Sequence, residues 1–402
     1  MPKIRSAVAA LLLAAGLAGC SASEAPSPSP SPSATPDPGA AVRAKIDAVL
    51  AEQSVALNEG DQAGFLAPAA GNAEVEAMLK KRFANLRALK VADVKQAVNL
   101  GPDPSGDPGR WNAQIRFDYC VGGSGCGVEG PVMSSAWQET SGGVKLVDLD
   151  ATSYGPLPWE VDDLAVRTGK RVVVATTKAH AAELPLALSK AEDAAKVADR
   201  FAVPGSKPFR YVVYLAPGSH WKTWYSNPSP SSYGYGLPER AEGTDLVTRL
   251  DEVPVERSGF LLRHEMTRLA AMSHAPRPNT TNTTWWLSEG LNELAGANGA
   301  SYPTRDDTRD HLRATPSYKG SLSTVNMSGQ LTDKQINAVY GLAYYATTCI
   351  DEKYGRKKLL ALVDAVLRNG EDTAAAGERV LGARWTTVES TCLTYTRRAV
   401  GL

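Results

Sequence analysis

Five side chains in two short segments could do chemistry together. His264-Glu265-Met266-Thr267-Arg268 falls in a helical run from about Val255 to Met272, in which Leu261, Leu262, Leu269 and Met272 recur at the spacing of a buried arc. Positions 264 and 268 lie one turn apart on a face beside that arc. After a Pro/Asn/Thr loop, Trp285-Trp286-Leu287-Ser288-Glu289-Gly290-Leu291-Asn292-Glu293 adds two carboxylates, again one turn apart. An imidazole can carry a proton near neutral pH or bind a metal, and a carboxylate can accept a proton. A guanidinium has no lone pair and keeps its charge, so Arg268 can only pair with acids. The plainer alternative is that His264 and Glu289 are buried polar residues of a helical core.

The elements that must position these groups can be read from the flanking sequence. Arg171 to Ala175 opens a strand, an alanine-rich helix covers about Ala181 to Phe201, and Phe209 to Ala216 is a second strand. Asp245 to Leu250 is a third. From Val255 onward the pattern is helix and loop. Thr332-Asp333-Lys334-Gln335 forms a capping box for a helix reaching Tyr354. Gly355 stops that helix, and Lys357 to Leu367 and Trp385 to Arg398 make two more.

Strand, His-Glu helix, then a Trp-Leu-Ser-Glu-Gly helix resembles the gluzincin metallopeptidases, in particular the peptidase-MA-like domain of secreted bacterial proteins. Tyr344-Tyr345 and the corner Asp351-Glu352-Lys353-Tyr354-Gly355 fit the same pattern, and the resemblance runs from about Arg171 to the carboxyl end. It implies a zinc ion held by two histidines one turn apart and a glutamate, with a bound water as nucleophile. By position it makes His264 the first ligand, Glu265 the general base and Glu289 the third ligand. Glu293 matches the carboxylate that orients the first histidine. The second histidine is absent, and Arg268 stands there. The expectation is that Arg268 sits among Glu265, Glu289 and Glu293 as a cation replacing the metal, so that no cofactor is held. His274, ten residues after His264, has the spacing of the third metzincin ligand, so a Zn2+ set of His264, His274 and Glu289 is the alternative. It requires the helix to break near Ala271, where metzincins have glycine. His180, His220 and His311 fit no ligand spacing.

Residues 40–155 read as helices followed by strands. Val42, Ile46, Val49, Leu50 and Leu57 recur at helical spacing up to Asn58-Glu59-Gly60-Asp61, and a second helix covers Ala73 to Leu89. Trp111 to Tyr119, Pro131 to Glu139 and Val144 to Leu149 alternate as strands. This pattern resembles the cone-shaped nuclear-transport-factor-2-like fold, and no catalytic constellation lies within it. Asp118 and Trp137 read as structural. The expected class is therefore α+β, with a cone-shaped domain over 40–155 and a zincin-like domain over 156–402.

At the amino end Lys3 and Arg5 precede an apolar run from Ala7 to Ala18, which is too short to span a bilayer but suits a secretory signal. Its end, Leu17-Ala18-Gly19-Cys20, resembles the lipobox of bacterial lipoproteins. That implies cleavage after residue 19 and lipid on Cys20, which anchors the chain to the extracytoplasmic face of the cell membrane. The Pro/Ser-rich residues 20–39 read as a tether. Export makes disulfides favourable, and Cys120–Cys126 with Cys349–Cys392 keeps each bridge within one domain, although three pairings are formally open. Lys+Arg and Asp+Glu each number 43 in 402 residues, so no basic excess points to nucleic acid. The reading is a membrane-anchored lipoprotein whose metallopeptidase-like domain is non-catalytic and binds a peptide or envelope protein. An active zinc peptidase with the altered ligand set, and a binding module centred on the amino-terminal domain, are the alternatives.

Overall fold

The computed structural model describes residues 38–126, 130–152, 155–226, 234–237 and 245–402. The signal segment, Cys20 and the tether up to residue 37 lie outside them, and the last two tether positions, 38 and 39, open the first helix instead. Three helices come first: α1 (Pro38–Glu59), α2 (Gln62–Leu66) and α3 (Ala73–Ala88). An antiparallel sheet follows, β1 (Ala92–Pro104), β2 (Arg110–Cys120), β3 (Val132–Thr140) and β4 (Gly143–Thr152), paired in chain order. Register shifts in the β1–β2 and β3–β4 ladders bend this sheet. The helices cover one face, where Ile46, Leu50, Leu79 and Leu86 meet Ile115, Phe117, Trp137 and Leu146. Strand β1 was not foreseen. Its apolar positions are few, and Gly101-Pro102-Asp103-Pro104 reads as a turn.

A one-turn helix, α4 (Pro158–Val161), leads into a second sheet. Its strands are β5 (Leu164–Thr168), β6 (Val172–Thr177), β7 (Tyr211–Ala216), β8 (Gly234–Leu237) and β9 (Asp245–Arg249), in the order β5-β6-β7-β9-β8. Strands β6, β7 and β9 are parallel, and β5 and β8 are antiparallel edges. Every residue of β6 and β7 is buried, as expected of parallel strands covered on both faces. One face carries Val173, Ala175, Val212, Tyr214 and Val247 into the same core as the first sheet. The other carries Val172, Val174, Val213 and Leu246 against α5 (Leu184–Ala198) and α7 (Gly259–Met272). The short α6 (His220–Thr223) lies between β7 and β8. All described residues from Pro38 onward belong to one compact unit.

The carboxyl half is helical: α8 (Trp285–Ala297), α9 (Arg305–Ala314), α10 (Asp333–Tyr354), α11 (Arg356–Val363), α12 (Thr373–Leu381) and α13 (Trp385–Ala399). The molecule is thus α+β, with two small sheets and a helical carboxyl half. The capping box at Thr332 and Gln335 forms on both sides. The helix expected from Lys357 continues past Val363 as one wide turn over Asp364–Arg368. Both disulfides join the expected cysteines: Cys120–Cys126 closes the loop after β2, and Cys349–Cys392 staples α10 to α13. Among the described residues no helix is long and apolar enough to cross a membrane.

Candidate functional site

Helix α7 presents His264, Glu265 and Arg268 because its other face is spent. Leu262, Met266, Leu269 and Ala270 pack under the second sheet, each at most 2% exposed. A side chain of that size contributes about 1.5–3 kcal/mol when fully buried, so the helix has little freedom to rotate. Helix α8 meets α7 and is held on its far side by α10. Gly290 explains the Glu-Gly pair in structural terms. A Cβ there would lie 2.1 Å from the Thr347 hydroxyl and 2.4 Å from the Ala343 carbonyl oxygen. Only glycine lets the two helices approach so closely, and that approach points Glu289 and Glu293 at α7.

His264 is the hub. Its Nδ1 lies 3.0 Å from Glu293 Oε1 and its Nε2 lies 3.3 Å from Glu289 Oε2. A neutral imidazole has one N–H, whereas two carboxylates facing both nitrogens call for two. Burial alone would lower the histidine's pKa. The hydrogen bonds to Glu289 and Glu293, with the charge of Glu265, overrule burial and raise it to about 10. The ring is therefore an imidazolium at neutral pH. The far oxygen of Glu293 accepts a 2.5 Å hydrogen bond from the Tyr302 hydroxyl. Tyr302 is itself stacked on Tyr344, ring centres 4.1 Å apart.

Arg268 closes the other side. Its Nη2 is 3.3 Å from Glu289 Oε1, and its Nη1 is 3.6 Å from Glu265 Oε2. The charge of Glu265 is the largest influence on the guanidinium and raises its pKa further. For Glu289, burial would favour the neutral acid. The Arg268 charge and the His264 hydrogen bond prevail and hold the carboxyl at about 2. The carboxylate side chains are 6–11% exposed and the imidazole 9%, but Arg268 is 34% exposed and forms the lip of the cluster. Two cations and three carboxylates thus share one desolvated site.

A zinc ion does not fit these residues. It would need the lone pair of His264 Nε2 and a place beside Glu289, and the Arg268 guanidinium stands there. Arg268 Nη2 lies 3.4 Å from Nε2 and 3.3 Å from Glu289 Oε1, where the two groups converge. Among the described residues no group of three or more His, Cys, Asp or Glu side chains is placed to hold a metal.

The alternative ligand set of His264, His274 and Glu289 is not assembled. Helix α7 ends at Met272, one residue past Ala271, and His274 follows, exposed, at a left-handed φ of 54°, but it joins no group of ligands among the described residues. The chain there is clamped by Arg368, whose guanidinium binds the carbonyls of Ala271, Ser273 and His274.

His264, Glu265, Arg268, Glu289 and Glu293 are brought together. Trp137 is wholly buried, its indole N–H bound to Ser135, and Asp118 accepts from the Gly130 amide. His220 is tied to Asp162 and the Pro217 carbonyl. Sequence reasoning missed Tyr302 and also Tyr340, whose phenol is pushed up by burial and the Glu289 charge. Nothing local marks either one, because each reaches the site only through the packing of α8 on its neighbours.

No protein-family model matches the chain, and a search of curated proteins finds no match. Among solved structures, a two-domain M1 zinc metallopeptidase, crystallised as a mutant bound to L-tryptophan, aligns over 72% of this chain and 61% of its own. The identity is 12% and the TM-score 0.34, a likeness from which nothing is carried to this chain. The chain therefore spans less than two thirds of that protein's length.

Proposed function

We propose that this chain is an extracytoplasmic lipoprotein, anchored through lipid on Cys20. In this reading its gluzincin-like region has exchanged a zinc centre for an internal ion cluster, so that it binds a peptide or envelope protein without hydrolysing it. One observation carries the reading: Arg268 lies between Glu265 and Glu289, at 3.6 and 3.3 Å, in the position of the family's second histidine. Hydrolysis by the family's route needs Glu265 to take a proton from a metal-activated water. Here Glu265 faces a guanidinium, which also lies beside His264 Nε2. The Leu17-Ala18-Gly19-Cys20 pattern supports the anchor, and the 20–39 tether would hold the folded part away from the bilayer. Residues 40–155 would act as a cone-shaped accessory domain.

The test has two readouts on the full chain. Mass spectrometry of its amino-terminal peptide should show an acylated Cys20. Incubation of purified protein with an unfolded polypeptide and added zinc should give no cleavage beyond that of Glu265→Gln. Zinc-dependent cleavage abolished by Glu265→Gln would overturn the non-catalytic reading, and an unmodified, uncleaved amino terminus would overturn the anchor.

A further inference from the structure

A second feature lies outside the α7–α8 cluster, at the carboxyl ends of the parallel strands. The segments that follow β6, β7 and β9 border an open cavity of about 610 Å³. In open sheets with parallel strands, ligands sit beyond these strand ends, where successive connections diverge. The cavity is bordered by Thr177 at the end of β6, by Pro217 and His220 after β7, and by Leu250, Val255 and Glu256 after β9.

Three properties of this wall point to one kind of ligand. First, its described residues include the carboxylates Glu183, Asp251 and Glu256 but no lysine or arginine. Asp251 is answered by Arg249 at 3.1 Å. Glu183 and Glu256 have no ion-pair or hydrogen-bond partner among the described residues. Second, Thr177 is only 9% exposed, and its hydroxyl makes no hydrogen bond, not even as a cap for the turn that follows it. The hydroxyl therefore opens onto the cavity and is free to bond a ligand there. Third, Pro217, Leu250, Pro254 and Val255 give the wall an apolar stretch, although His180, Ser219 and His220 line it as well. Nearby cations are engaged elsewhere: Lys178 pairs with Asp163 at 3.5 Å. Both nitrogens of His220 are likewise occupied, by Asp162 and the Pro217 carbonyl.

We propose that this cavity binds a small organic cation, an ammonium or guanidinium head held by Glu183 and Glu256 on a short apolar stem packed against Pro217, Leu250 and Val255. The Thr177 hydroxyl supplies a further acceptor for the head group. An anion of equal size is disfavoured by the same two carboxylates, so charge sign rather than bulk sets selectivity.

Calorimetric titration of the full chain in detergent with butylamine, agmatine and butyrate tests the proposal. Both amines should bind, agmatine with a Kd of about a millimolar or tighter, and butyrate at least about tenfold more weakly than butylamine. Glu183→Gln combined with Glu256→Gln should weaken agmatine by about tenfold or more, whereas Arg268→Met should leave it unchanged. Equal binding of butylamine and butyrate, no binding of either amine, or an unaltered agmatine affinity in a folded double variant would each overturn it. The amine–carboxylate contrast is read on the unaltered chain, so it decides the matter even if the double variant fails to fold.

Discussion

Arginine and glutamate are buried together in two regions of this molecule, with opposite electrostatic outcomes. In the amino-terminal half Arg82 of α3 meets Glu160 of α4 at 2.6 Å, the two side chains 4% and 6% exposed, with the guanidinium over the Trp159 ring. Burial dominates there: it lowers the arginine's pKa and raises the glutamate's, although each partner opposes the shift. In the α7–α8 cluster the shifts reverse. Arg268 is raised, His264 rises to about 10 and Glu289 falls to about 2. A lone pair gives each ion one opposite charge against its full desolvation cost, whereas in the cluster His264, Glu265, Arg268 and Glu289 each face two or more. Charge survives burial when it is shared. The lone pair is best understood as a latch, since Asn85, one turn along α3, also binds the Trp159 and Asp162 carbonyls and the Leu164 amide.

The largest effect should come from breaking the pair. Arg82→Ala leaves Glu160 buried and alone and should cost about 3–5 kcal/mol in denaturant unfolding. A smaller loss, below about 1 kcal/mol, would mean that water reaches the latch. Arg268→Met should cost less, about 1–3 kcal/mol, because Arg268 is one third exposed and water can partly replace it beside Glu265 and Glu289. Equal costs would erase the contrast. Replacing both latch partners, by Arg82→Met with Glu160→Leu, should change stability by less than about 1 kcal/mol or increase it, since no ion is then left unpaired.

The subtlest difference is in pH response. Glu289, lowered to about 2 from 4.5, contributes stability above 4.5 that is lost as pH falls toward 2. Glu160 is raised, so its contribution is present below 4.5 and lost as pH rises through its folded value. Urea melts between about pH 5 and pH 3 should therefore show the penalty of Glu289→Gln shrinking and that of Glu160→Gln growing. Parallel trends would show that both sites answer to the same field. His264, raised to about 10 from 6.5, adds stability below 6.5 that is lost as pH rises through 10. The wild-type advantage over His264→Gln should thus decline on the alkaline side.

Much of this was legible in the chain. The α7 periodicity, the Thr332 capping box and the strands rich in valine follow from local patterns with direct physical causes, whereas α8 is legible only through its Trp-Leu-Ser-Glu-Gly resemblance and the disulfide pairing is one of three that the cysteines allow. Arg268 could be assigned to the acids because a guanidinium has no other buried partner. What stayed hidden depends on contacts distant in sequence. Strand β5 is only five residues long, and it becomes a strand only as an edge beside β6. Tyr302 and Tyr340 join the site through helix packing. The buried latch is equally silent, since nothing near Arg82 announces a glutamate 78 residues away.

The central claim is that a protein cation fills the place of a metal. The most direct test is inductively coupled plasma mass spectrometry of the full chain produced with excess zinc, beside Arg268→His handled identically. The account predicts well under about a tenth of a zinc per wild-type chain, and a gain toward one per chain in the variant, whose new imidazole restores a tetrahedral donor set. One tightly held zinc per wild-type chain, retained through dialysis against a chelator, would contradict it.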